Sequence, residues 1–199
     1  MKKYLSAFLT LISLHAIAQD NPTTLAQPIV DEGKRLYRSE MASWYGTDLF
    51  LEKYTEQRNI GGYFSYAEPE VTKCIFFSKT VKPVVIGTIS FDSTYNIKTA
   101  KADLTEREFT AFEQDMYSIR KIALETINSD SLFRSYNNTN LNLIPLISNN
   151  EKKVYVLTGP KQNGVVIFGN DYLLTFDNEN NLTNKKRLHE NIIPVNYGQ

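Results

Sequence analysis

Residues 105–128 read TEREFTAFEQDMYSIRKIALETIN, and the period in this stretch decides the fold. Thr105 with Glu108 three residues on makes a Thr-x-x-Glu capping box, in which hydroxyl and carboxylate each satisfy a backbone N–H orphaned at a helix start. The spacing therefore predicts a helix from Thr105 to Asn128. Phe109, Phe112, Met116, Ile119, Ala123 and Ile127 recur at three- and four-residue steps, which gathers them into one apolar arc that a sheet or another helix must cover. Two charges interrupt that arc: at about 100° per residue from Phe109, Glu113 falls at about +40° and Arg120 at about +20°. Their heads must reach the rim or meet partners on the opposing sheet in an ion-pair or hydrogen-bond network. The competing reading makes Glu113 a shielded carboxylate beside a cleft, with a raised pKa and an acid–base role.

On the N-terminal side, Val30, Tyr37, Met41 and Trp44 keep a helical spacing between Ile29 and Tyr45, with Gly33 a weak point and Gly46 a plausible stop. A short further turn from Leu49 to Tyr54 can follow. The period then becomes strand-like in Ile60 to Ala67, Val71 to Lys79 and Val84 to Phe91, which read as an antiparallel meander. Tyr95 to Ala102 is a more polar run suited to an edge strand. Beyond the central helix, strands are expected at Leu141 to Ile147, Lys153 to Thr158, Gly164 to Phe168, Tyr172 to Phe176 and Leu182 to His189. Asn149-Asn150 and Gly169-Asn170 tolerate positive φ, and the latter pair separates two strands by the two residues of a tight hairpin, so consecutive strands should be neighbours. The expectation is an α+β domain: an N-terminal helix and one long central helix packed on antiparallel sheet formed by two β-meanders.

The first residues bear on compartment. Met1-Lys2-Lys3, an apolar run to Ile17 and Ala16-Ile17-Ala18 match the three regions of a secretory signal peptide, which predicts cleavage after Ala18. Residues 1–18 are then the signal, 19–27 a flexible polar leader and 28–199 a single domain. A mature chain of 199 − 18 = 181 residues is enough for one sizeable core. Loss of Lys2 and Lys3 leaves 22 − 2 = 20 basic against 22 acidic side chains, so no global charge favours nucleic acid. No later stretch approaches a membrane span. The sole cysteine, Cys74, sits inside an apolar run and reads as a small buried hydrophobe rather than a thiol nucleophile. Asparagine- and lysine-rich wording points to a bacterial product, periplasmic or extracellular.

Candidate chemistry is sparse. With the signal removed, His189 is the single histidine, so a neutral-pH base must be this residue, yet in a regular strand it shares a face with Arg187 and Lys185. One His and one Cys far apart make no zinc site. Asp177-Asn178-Glu179-Asn180-Asn181 is oxygen-rich like a calcium loop, but Leu182 and Leu188 stand where an EF-hand needs glycine and glutamate, leaving a turn rich in Asx residues. Gly159-Pro160-Lys161 lacks the ending of a phosphate loop. No cofactor or metal motif is found. Gly61-Gly62-Tyr63-Phe64-Ser65-Tyr66 offers Tyr63 and Tyr66 as faces for a sugar or peptide, or as core. Two function classes follow: an exported, non-enzymatic module that binds a protein, peptide or glycan at the cell envelope, and a small secreted hydrolase using Glu113, with Arg120, or His189 as acid or base.

Overall fold

Strand β2 (Thr72–Ser78) is buried along almost its whole length, because both faces of its apolar run Cys74-Ile75-Phe76-Phe77 are covered. The computed structural model of the chain describes residues 22–148 and 151–197. The expected signal segment and the Asn149-Asn150 joint lie outside the described residues. The chain divides into two compact units, one ending at Lys34 and one beginning at Arg35. Of the first unit, residues 22–34 open helix α1, where Asp31 accepts a hydrogen bond from Gln27 one turn earlier.

Helix α1 (Pro22–Lys53) begins within the stretch read as leader, carries Pro28 inside it, and runs through both Gly33 and Gly46. Gly46 is not a stop. A Cβ there would lie 2.8 Å from the Cβ of Cys74, so the glycine lets the helix approach β2 closely. The face α1 buries is correspondingly small: Ser39, Ala42, Ser43 and then Phe50 are buried, while Tyr37 and Trp44, expected on the apolar face, stand exposed. Phe50 stacks on Phe76 with ring centroids 3.9 Å apart, and Gly87 of the next strand leaves the space its ring needs.

Strands β1 (Ile60–Ala67), β2, β3 (Val85–Phe91) and β4 (Lys101–Asp103) form one antiparallel sheet in sequence order. The first three match the expected meander. The fourth is shorter than expected, since Tyr95 adopts φ 53° and buries its ring beside Phe91 instead of extending along an edge. Helix α2 (Ala111–Ser129) lies over the opposite side of β2 from α1. Its Met116 joins Phe64, Ile75, Phe77 and Val85, whereas Ile119 and Ala123 pack with Val154, Val156 and Leu174 of a second sheet. One helix thus serves two sheets.

The helix starts six residues later than Thr105. The capping box in use is Thr110 with Glu113, the same Thr-x-x-Glu pattern five residues on. Arg107 cannot be helical because its backbone bridges to Val85 of β3 in both directions, at 2.8 and 3.1 Å. Phe109 therefore precedes the helix and Phe112 falls in its first turn, 40% exposed rather than core.

The second sheet has the order β5-β6-β8-β9, from β5 (Thr139–Ser148), β6 (Glu151–Pro160), β8 (Tyr172–Phe176) and β9 (Leu182–Arg187). Strand β7 (Val165–Gly169) is missing from it. It pairs instead with β10 (Ile192–Asn196), a strand the sequence reading did not anticipate, in a separate two-stranded ribbon. Gly169-Asn170 thus leads from one sheet to another and is not a hairpin between neighbours. Both residues have positive φ, and a Cβ on Gly169 would come within 1.9 Å of the Asn191 carbonyl oxygen, so only glycine fits. Among the described residues no helix is long and apolar enough to cross a membrane.

These placements predict that Met116→Ala lowers stability by about 2–5 kcal/mol, by lost transfer energy and the cavity left, while Phe112→Ala costs less than half as much. Denaturant midpoints compare the two, and equal losses would contradict the helix phase.

Candidate functional site

Glu113 is the one carboxylate in the buried face of α2, its side chain only 1% exposed. Four donors saturate it. Arg107 grips it with two N–H groups, Nη1 to Oε2 at 2.6 Å and Nη2 to Oε1 at 2.8 Å. The Tyr66 hydroxyl donates to Oε1 at 3.1 Å and the Thr110 backbone N–H to Oε2 at 2.9 Å. Burial alone would push the carboxyl pKa up, but the bonds from Arg107, then from Thr110 and Tyr66, carry it down to about 2. Tyr66 is raised in turn by burial and by the adjacent carboxylate. This direction runs against the competing reading of Glu113 as a shielded carboxylate with a raised pKa. The network is structural in form, and its partner is Arg107, not Arg120.

Arg120 lies elsewhere. Its guanidinium carbon stands 5.8 Å from the centroid of the Phe77 ring, and its Nε is buried without a hydrogen-bond partner. Burial lowers its pKa, and the groups that act on it electrostatically are the tyrosines Tyr63 and Tyr117. Tyr63 packs against the α1 cluster and is raised mainly by burial, then by Glu40, a carboxyl on α1 itself raised by burial. Sequence reasoning missed Glu40, which lies outside any period-breaking position. Cys74 is fully buried, and burial pushes its thiol up to about 12, as a small hydrophobe requires.

His189 falls beyond the end of β9. Its Nδ1 is 3.0 Å from Oδ2 of Asp171, whose other oxygen accepts from the Thr158 backbone. Among the described residues no hydrogen bond links its second ring nitrogen to a hydroxyl or thiol, which a nucleophilic triad needs. Glu113, Arg120 and His189 thus sit in three separate settings. The oxygen-rich run 177–181 closes the β8–β9 turn, and a lysine stands where a metal would: Lys152 Nζ bonds Asp115 Oδ2, the Asn178 carbonyl and Asn180 Oδ1 at 2.8–2.9 Å. No group of three or more His, Cys, Asp or Glu among the described residues could hold a metal ion.

The pocket that stands apart from these networks lies on the β7–β10 ribbon. It encloses about 400 Å³ between Val165, Ile167, Ile192 and Pro194 on one side and the 136–139 segment on the other. Tyr136, Asn137, Asn138 and Gln162 supply an aromatic ring and three amides, and every lining residue is uncharged. The chain is fixed at Arg134, just before this segment, and at Asn138 within it. Asn170 donates to the Arg134 carbonyl at 2.9 Å, the Tyr172 hydroxyl donates to Asn170 at 2.6 Å and accepts from the Arg134 N–H at 2.9 Å, and Lys161 N–H bonds the Asn138 carbonyl at 2.9 Å. Asn138 itself has φ 59°, which an Asn accepts. The opposite face of the ribbon is bare and apolar: Val166, Phe168, Ile193, Val195 and Tyr197 are 40–59% exposed, with Phe168 opposite Ile193 and Val166 opposite Val195. The signal for this site was faint in the sequence: residues 129–140, between the central helix and the next strand, are mostly polar and contain Asn137-Asn138.

Compared with protein-family models, curated proteins and solved structures, the chain matches none.

The Glu113 contacts set a pH dependence. Its folded pKa is depressed from 4.5 to about 2, so its contribution is present above pH 4.5 and is lost as pH falls from there towards 2. At about 1.4 kcal/mol per tenfold that gap corresponds to about 3 kcal/mol, and solvent screening of the partly exposed Arg107 reduces it to about 2 kcal/mol. Wild type should exceed Glu113→Gln by that amount near neutral pH, with the difference vanishing near pH 2; a constant difference would contradict the assignment. Arg120→Met should be neutral or stabilising, because it removes a desolvated cation that has no carboxylate partner among the described residues. A thermal melt showing a loss above about 2 kcal/mol would reveal a hidden counter-charge.

Proposed function

We propose that the protein is an exported bacterial binding module of the cell envelope, periplasmic or extracellular, whose pocket on the β7–β10 ribbon takes a neutral glycan. The pocket's uncharged, amide-rich lining carries this reading. A sugar ring presents hydroxyls around an apolar face, so it needs side chains that both donate and accept, next to an apolar or aromatic wall. Asn and Gln amides do both, and Tyr136 with Val165 and Ile167 supplies the wall. A charged ligand would find no counter-charge there. The volume falls in the range of small-molecule sites, and the hydrogen bonds at Arg134 and Asn138 fix this stretch of chain before binding.

The hydrolase reading is less favoured by the same contacts. Glu113 would have to leave four donors to move a proton, and its depressed pKa leaves it ionised at neutral pH, suiting neither a general acid nor an effective base. The bare apolar face of the ribbon also favours recognition over turnover, since monomers rarely expose such contiguous patches without a surface role.

The test is titration calorimetry with neutral oligosaccharides of glucose and of N-acetylglucosamine. At least one should bind, and Tyr136→Ala should weaken it by at least about tenfold, or about 1.4 kcal/mol. Failure of every neutral oligosaccharide, or binding unchanged in Tyr136→Ala, would overturn the glycan reading. Release of product from any of them, abolished in a folded Glu113→Gln variant, would restore the enzyme. Export has its own check: N-terminal sequencing of the natively produced protein should begin at Gln19, and a cytoplasmic protein retaining Met1 would contradict it.

A further inference from the structure

A second cleft, about 360 Å³, lies where α1, the end of β1, the first turn of α2 and the end of β5 meet. Its lining differs in kind from the ribbon pocket, because two arginines, Arg35 and Arg38, open into it beside Tyr66, Phe112 and Met116. Arg38 is fixed by three uncharged acceptors. Its Nε donates to the Tyr95 hydroxyl at 3.4 Å, and its Nη2 donates to the Glu68 carbonyl at 3.2 Å and to the Thr72 hydroxyl at 3.1 Å. Arginine has five N–H donors, so both donors of Nη1 are left without an acceptor among the described residues. The Arg35 Nη1 bonds the Ser148 hydroxyl, again an uncharged group. Glu68 also lines the cleft, but its carboxylate is held by Lys73 at 2.7 Å.

The result is a pre-oriented guanidinium whose charge is not neutralised by its own contacts. Such a fork matches the planar geometry of a carboxylate, and its rigidity lowers the entropy lost on binding. Beside it, Phe112 turns a large ring outward, 40% exposed, and meets Tyr66 edge-on with centroids 5.1 Å apart. Met116 and Ile147 continue that apolar wall. Tyr66 is itself held by its bond to Glu113, so the wall does not need to order when a ligand arrives. The geometry points to this cleft as a binding site for a carboxylate flanked by an apolar side chain, the chemistry of a peptide C-terminus that ends in an aromatic or aliphatic residue. The carboxylate meets Arg38 Nη1, and the terminal side chain lies on Phe112. It is a site separate from the ribbon pocket and does not depend on what that pocket binds.

The probe is the tripeptide acetyl-alanyl-alanyl-phenylalanine, followed by titration calorimetry against its C-terminal amide and against inorganic phosphate. The free acid should bind at least about tenfold more tightly than the amide, and Arg38→Met should remove that preference. Phe112→Ser, at an exposed position, should weaken the acid severalfold while keeping the preference over the amide. Because Arg38 also tethers Thr72 and Tyr95, circular dichroism checks that its variant folds; if it does not, the acid-to-amide ratio and Phe112→Ser decide. Absent binding of the acid, equal binding of acid and amide, or an unchanged affinity in a folded Arg38→Met would overturn the proposal. Competition by phosphate as strong as by the peptide would do so as well, since it would show that the apolar wall plays no part.

Discussion

A glutamate carboxylate with no exposed surface has to be fully bonded or neutral, and in this chain it is bonded. Glu113 sits in the buried face of α2, and its four donors come from three parts of the fold: the 104–110 connection, the helix start and strand β1. Satisfying one charge therefore fixes where α2 begins, how the connection passes over β3, and how the Tyr66 ring is oriented. Replacing both partners by apolar groups could leave the core as stable, but removing one would strand the other. The interaction acts as a registration device between a helix and a sheet edge, and the Val85–Arg107 backbone bridge supports it from the other side.

Around that point the layers follow from burial. The alternation Cys74, Phe76 against Ile75, Phe77 gives β2 two apolar faces, one for α1 and one for α2. Close approach of α1 is made possible by small residues, Ala42, Ser43 and Gly46, so Tyr37 and Trp44 face outward, while Phe50, beyond that contact, packs its ring on the sheet. The second sheet is tied to α2 by Ile119 and Ala123 and, at its far turn, by Lys152, whose three N–H donors are all used. The ribbon belongs to neither sheet, and it is there, rather than in the packed layers, that an uncharged pocket opens.

The sequence showed the α+β class, the first meander and the strand at Tyr172–Phe176, because the helical period and the short apolar runs bounded by turn residues are both local signals. What it hid has physical causes. Two Thr-x-x-Glu boxes stand five residues apart, and the choice between them is made by Arg107 pairing with β3, a long-range contact no local pattern contains. Gly46 reads equally as a helix stop or a close contact. Gly169-Asn170 has the residues of a hairpin, and only the pairing of β7 with the unanticipated β10 turns it into a junction. That Glu113 and Arg120 break the apolar arc was legible; their partners were not, since Arg107, Tyr66 and Phe77 are brought to them by tertiary packing. Tyr63 and Tyr66 were candidates as ligand platforms, and the structure puts Tyr63 into core packing and Tyr66 at a cleft wall. Tyr136 had no pattern to mark it.

The account rests on Glu113 being an ionised structural anchor and not a proton carrier. Carbon-13 NMR of the Glu113 carboxyl, followed through an acid titration of the folded protein, reads its protonation directly. The contacts described here predict that its resonance stays in the ionised position through pH 4.5 and moves only towards pH 2. A midpoint at or above the ordinary glutamate value of 4.5 would contradict the account and return Glu113 to the role of an acid.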